Sequence, residues 1–266
     1  MSNSPLISGT LLSPNCTKPR NHAIDTITIH CFVGQVTGKR GCEVFQPTSR
    51  KASCNYVVGK DGDIWLCVDE ANRSWCTGGT DSSGNPIYVN GISGAINDQR
   101  AVTIEVASDT VDPYTVTDAA SEALIKLVAD IAKRNGMGTL KWKADKSLVG
   151  NVAEQNMTVH RWFAIKACPG DYLYERMGDI AAKANAINFP PVTQEPEEGS
   201  DETVSEPVVK TEPADWAKEA WDKAKTKVGR DGQTILDGTR PWDAITRQEV
   251  AVVLDRCGLL EGGEKA

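Results

Sequence analysis

Apolar and polar positions alternate in four short runs, and each predicts a strand. Residues 24–31 carry β-branched side chains in alternation. Asn55-Tyr56-Val57-Val58-Gly59 and Ile64-Trp65-Leu66-Cys67-Val68 follow, separated by Lys60-Asp61-Gly62-Asp63, a turn signal that predicts a hairpin. In Ala101-Val102-Thr103-Ile104-Glu105-Val106-Ala107, a period of two puts Val102, Ile104 and Val106 on one face and Thr103 and Glu105 on the other.

The period then changes to that of a helix. Thr117 or Asp118 caps a segment whose apolar stripe is Ala120, Leu124, Leu127, Val128 and Ile131, and Arg134-Asn135-Gly136 ends it. A last helix from about Asp171 turns Leu173, Met177 and Ile180 inward. Residues 76–98, rich in Gly, Asn, Asp and Ser, read as one long irregular segment, and 145–151 as a loop. Strands mixed with helices predict an α/β domain over residues 1–188.

Periodicity stops at Phe189-Pro190-Pro191. Residues 189–213 are Pro- and Glu-rich, with little to bury, and read as an acidic extended linker. Residues 214–266 form a small helical module. Trp216, Ala220, Trp221 and Ala224 share one helical side; turns are expected at 228–232 and 237–238. Thr246 and Glu249 make a capping box ahead of Val250, Val253 and Leu254. Trp242 joins Trp216 and Trp221 as a packing residue, ligand platform or self-association surface.

Composition narrows the function. With 266 residues and a net charge of -7, the chain has room for one large core and has no global attraction for nucleic acid or anionic lipid. Its eight cysteines contain no CxxC pair, which argues against an all-cysteine zinc site or a redox motif. The opening residues do not read as a signal peptide, and no apolar run reaches the ~20 residues of a membrane span. A soluble chain made in the cytoplasm, without membrane insertion, is the expectation.

Candidate chemistry rests on scarce side chains. There are three histidines. His30 ends a predicted strand, in phase with Thr28. His160 opens a stretch that reaches Cys168 eight residues later, a spacing that lets a loop close two ligands round one ion. Two imidazoles and a thiolate are a donor set for zinc with one position left open, the form of a catalytic site. Each histidine alone reads equally as a packed core residue, and Cys168 as a buried thiol or as a nucleophile with His160 as base. Glu105, a carboxylate in an apolar strand, is either a general base or the polar side of an edge strand. Lys166 is an oxyanion-stabilising cation or a solvated loop residue. His22 lies in a polar stretch outside this chemistry.

Taken in order, Ile27-Thr28-Ile29-His30, Asn55-Tyr56-Val57-Val58-Gly59-Lys60-Asp61-Gly62, Ala101-Val102-Thr103-Ile104-Glu105-Val106, His160-Arg161-Trp162 and Lys166-Ala167-Cys168-Pro169-Gly170 resemble the zinc-dependent N-acetylmuramoyl-L-alanine amidases. That family includes phage lysozyme-type amidases and peptidoglycan-recognition proteins. The resemblance covers roughly residues 20–185. It implies a central mixed β-sheet flanked by helices, with one Zn²⁺ at its edge held by His30, His160 and Cys168. It further implies Glu105 as general base, Lys166 assisting the tetrahedral intermediate, and cleavage of the amide between N-acetylmuramic acid and L-alanine by zinc-activated water.

The chain departs from the pattern at two positions. Cys54 stands where some relatives have a catalytic tyrosine, so Tyr56, two residues on, is not promoted to that role. Asn55 stands where many have histidine. Some relatives bind peptidoglycan without cutting it; the intact ligand set favours an enzyme. Residues 76–98 are the expected groove wall, with Asn156 and Thr158 lining the site. Residues 244–251 resemble part of an S-layer-homology-like repeat, implying attachment to a secondary cell-wall polymer or a homo-oligomer. The expectation is an endolysin, made in the host cytoplasm and acting at the bacterial cell wall after release.

Overall fold

The computed structural model describes residues 2–190, 215–228 and positions 232, 234, 253 and 257. The chain divides into two units, Met1–Gln194 and Glu195–Ala266. The first contains β1 (Gly9–Thr10), β2 (Cys16–Thr17), β3 (Thr26–Cys31), β4 (Tyr56–Val58), β5 (Ile64–Leu66), β6 (Arg73–Ser74), β7 (Tyr88–Val89), β8 (Ile92–Ser93), β9 (Ala101–Val106) and β10 (Met157–Val159). Its helices are α1 (Gly38–Val44), α2 (Gly94–Arg100), α3 (Asp118–Arg134) and α4 (Gly170–Asn188).

Six strands form one mixed sheet in the order β1-β5-β4-β9-β3-β10. The predicted hairpin is present, with β4 and β5 antiparallel, while the four other pairings are parallel. Register decides which side chains share a face. Tyr56, Ile104, Ile29 and Val159 lie abreast across four strands, as do Val57, Glu105 and His30 across three. The first row belongs to the main apolar core and the second to the opposite face.

The core face is covered by α3 packed against α4. Thr117 caps α3, its Oγ1 accepting from Ala120 N at 3.2 Å. The predicted stripe of Ala120, Leu124, Leu127, Val128 and Ile131 is buried, and so are Leu173, Met177 and Ile180 on α4. Each fully buried aliphatic side chain contributes about 1.5–3 kcal/mol. A smaller cluster of Cys42, Phe45, Cys54, Val57 and Cys67 lies under α1 on the opposite face.

Two segments are more ordered than their composition implies. Within 76–98, β7 and β8 form a hairpin whose turn residues, Asn90 and Gly91, both take positive φ (50° and 76°). Such a two-residue turn suits Asn-Gly because its twist matches that of the strands. The end of the same segment is the start of α2. Within 145–151, Lys146–Leu148 form a 3-10 turn with Asp145 as cap.

In the second unit, α5 (Asp215–Thr226) falls where helical spacing places a helix, and Val228 bridges Thr234 around Gly232 (φ 76°). The capping box of Thr246 and Glu249, Trp242 and the turn at 237–238 lie outside the described residues, as does the linker beyond Pro190. Among the described residues no helix is long and apolar enough to cross a membrane.

Candidate metal centre

Strand register begins the site. His30 and Glu105 are paired on neighbouring parallel strands and share the face opposite the main core. The face is polar. Thr28 Oγ1 lies 2.8 Å from Thr158 Oγ1 and accepts from Asn97 Nδ2 at 2.9 Å, and Thr103 Oγ1 lies 2.7 Å from Ser74 Oγ. Parallel neighbours on both sides of β3 bring the ends of β3, β9 and β10 together, and His160 follows β10 directly.

The loop after His160 returns Cys168 to His30. Arg161 pins it, with Nε and Nη2 donating to Ala167 O at 3.1 and 2.7 Å, and its own N–H donating to Cys168 O at 2.9 Å. Cys168 Sγ then lies 3.4 Å from His30 Nδ1 and accepts from Cys31 N at 3.4 Å. The His30 and His160 rings meet edge-on, their centroids 5.0 Å apart.

One donor atom from each of His30, His160 and Cys168 lies within 4.8 Å of the others. A tetrahedral zinc ion with bonds of about 2.0–2.3 Å spaces its ligands about 3.3–3.8 Å apart, and the His30–Cys168 separation falls in that range. The residues fit the ion. Burial pushes His30 well below the ordinary imidazole range, reinforced by His160. Burial also lowers His160, with the Gly78 carbonyl opposing. Both rings are thereby held neutral, as metal ligation requires. Cys168 is pushed up by burial, so it gives up a proton when it ligates.

A second donor set, His30, Cys76 and Glu105, shares His30 with the first. Glu105 Oε1 accepts from Cys76 Sγ at 3.7 Å, and its Oε2 is buried without a partner. Burial, followed by the nearby Cys31, pushes Glu105 up to about 8. Two imidazoles and a thiol are the softer set, which zinc prefers.

The site opens into a cleft of about 690 Å³. Glu105, His160 and Lys166 line it together with Arg50, Lys51 and Arg73. Four cations thus face one cleft in a chain of net charge -7.

A family model for N-acetylmuramoyl-L-alanine amidase matches residues 20–171. The chain belongs to that family. Membership and the donor set together make it a hydrolase of the muramoyl–alanine amide. Among solved structures, it is similar to the PlyG catalytic domain (16% identity, covering 72% of this chain and 99% of that one, TM-score 0.47). It is also similar to the endolysin amidase LysCS from Clostridium intestinale URNW (16%, 70% and 99%, 0.44). A mutant endolysin from Bacillus subtilis is a third (14%, 67% and 99%, 0.45). No curated protein matches.

Other residues of this amidase-family chain fall as follows. Lys166 is exposed at the cleft. Tyr56 points into the core and donates to Glu70 Oε1 at 2.6 Å, away from the site. Asn55 is buried, bonding Val68 O and Thr103 N, and Cys54 lies in the smaller cluster. His22 is exposed beside Ala23 O.

Asn156 and Thr158 do not line the cleft. Asn156 bridges Lys141 N and Thr139 O, and Thr158 is spent on Thr28 and Asn97. The segment 76–98 supplies only part of the wall, through Cys76, Gly78 and Asp98. Residues 44–53 and 73–75 form much of the rest. Sequence reasoning missed Arg50, Lys51, Arg73 and Asp98; the one available signal was the cluster of cations beside Trp75 and Ser53.

Proposed function

We propose that the protein is an endolysin-type N-acetylmuramoyl-L-alanine amidase in which His30, His160 and Cys168 hold Zn²⁺ and Glu105 is the general base. The observation that carries this reading is the juxtaposition of the three donors with Glu105, paired to His30 in register, at the mouth of an open cleft. When bound, Zn²⁺ supplies a Lewis acid that polarises the scissile carbonyl and makes water more acidic.

The chain's own groups do the remainder. In its ionised form, which a cation bound beside it would favour, Glu105 takes a proton from the attacking water and delivers it to the leaving nitrogen of L-alanine. Its unpartnered Oε2 is free to do so while Oε1 is held by Cys76. Lys166 presents a cation to the oxygen on which negative charge develops. Arg50, Lys51 and Arg73 draw the anionic stem peptide into the cleft.

The test is digestion of purified peptidoglycan. The reading expects new L-alanine amino termini without new reducing sugar ends, lost on chelation and restored by zinc. Wall binding without release would overturn it in favour of a non-catalytic binder. Activity that survives chelation but not alkylation would overturn it in favour of a cysteine peptidase.

For the remainder of the chain, we propose that 189–213 is a linker and 214–266 a module that attaches the enzyme to a secondary wall polymer or to a second copy. The helical spacing of Trp216, Ala220, Trp221 and Ala224, together with α5, supports it. Binding of the full chain, but not of a chain ending at 190, to amidase-resistant wall material is the expected result.

A further inference from the structure

Three consecutive residues touch the chemistry at three points. Cys76 Sγ contacts Glu105 Oε1 at 3.7 Å, Thr77 Oγ1 lies 3.4 Å from His30 Nε2, and Gly78 O lies 3.3 Å from His160 Nε2. Each histidine therefore has one ring nitrogen committed to this strap. For His30 the other, Nδ1, faces Cys168. A donor hydrogen on Nε2, held by an acceptor on the strap, leaves the lone pair on Nδ1.

The strap has no regular structure of its own and is held by one buried side chain. Asp98, on α2, accepts from Cys76 N at 2.9 Å and from Thr77 N at 3.0 and 3.2 Å. Space allows little movement. A Cβ on Gly94, at the start of α2, would lie 2.0 Å from Thr77 O, and one on Gly79 would lie 2.2 Å from Ala164 Cβ.

We propose that Asp98 is the positioning residue of this centre: by fixing the strap 76–78 it sets the ring orientation and tautomer of both histidines and holds Glu105. This rests on the metal centre of the preceding section. It assigns a role to a carboxylate that belongs to neither donor set and acts through the strap it holds.

Zinc affinity, measured by chelator competition without substrate, tests it independently of amidase activity. Asp98→Ala is expected to bind zinc roughly 10- to 100-fold more weakly, with an altered visible spectrum for the Co²⁺ form and a fall in kcat at nearly constant KM. Thr77→Val, which leaves the strap backbone bonded, is expected to weaken zinc about tenfold, and Thr77→Ser to restore it. A folded Asp98→Ala protein with wild-type zinc affinity overturns the proposal. Should that variant not fold, wild-type affinity in Thr77→Val overturns it instead. Wild-type protein that binds zinc but cuts nothing would overturn the amidase reading alone.

Discussion

The two faces of the central sheet are built from the same strands but do opposite work. On one, Ile27, Ile29, Val102, Ile104, Met157 and Val159 meet α3 and α4 in an apolar core. On the other, Thr28, His30, Thr103, Glu105 and Thr158 are buried or half-buried among hydrogen-bonding partners. Burial on the first face is favourable by itself. On the second it costs free energy unless each polar atom is satisfied, and Glu105 Oε2 is left unsatisfied. One face therefore stores stability, and the other spends some of it to hold reactive groups in place.

The contrast is broken most severely at the metal. Cys168→Ala should lose bound zinc and essentially all peptidoglycan hydrolysis, read by metal analysis and release of amino termini. Its thermal unfolding without metal should stay near that of the zinc-free parent. Next comes Glu105→Gln, expected to lower kcat by roughly 10²–10⁴-fold, the range of a general base, with zinc content unchanged. Full activity would remove Glu105 from the mechanism. Because burial disfavours the charged carboxylate, a neutral amide of the same shape should leave the variant about as stable as the parent.

On the apolar face the readouts exchange places. Leu127→Ala, fully buried on α3, should cost about 2–5 kcal/mol in denaturant unfolding, with kcat per folded molecule unchanged. A drop in kcat would mean that the faces are coupled. A smaller effect is expected at the cleft rim. Arg50→Gln with Lys51→Gln, both exposed, should lower kcat/KM about tenfold at low salt, a few-fold for each screened charge. The difference from wild type should shrink as salt is raised.

The faces also differ in how legible they were. Val102, Ile104 and Val106 declared the core face by period alone, and the stripe of α3 declared what covers it. Glu105 could be named because a carboxylate is out of place in an apolar strand, and His30, His160 and Cys168 because together they make a zinc donor set in motifs that resemble the family's. The strap 76–78 gave no local signal, since Cys76 and Thr77 are held by Asp98, 22 and 21 residues on, through backbone amides that no sequence pattern displays. Helix α1 has seven residues, two of them glycine, too short for a 3.6-residue period to register. The hairpin of β7 and β8 does carry a strong turn signal, Asn90-Gly91, masked by the polar composition around it.

Tyr56 gives the finest test of the division. It belongs to the hairpin strand that resembles a catalytic region of the family, yet its register with Ile104 turns it to the core. There it donates to Glu70, whose oxygens also accept from Arg134 Nη2 at 2.6 Å and Asn135 Nδ2 at 3.1 Å, and its own oxygen accepts from Ser4 N at 2.8 Å. Burial and the Glu70 carboxylate push the phenol above its ordinary range, so it stays protonated as a donor. Removing that donor leaves Glu70 with its other partners and Ser4 N with none. Tyr56→Phe should therefore cost about 1–2 kcal/mol of stability, measured by urea unfolding. Its kcat and KM should equal those of the parent, because the ring touches nothing on the catalytic face. A loss of kcat without a loss of stability would place a tyrosine back in the chemistry and remove the separation of faces on which the other predictions depend.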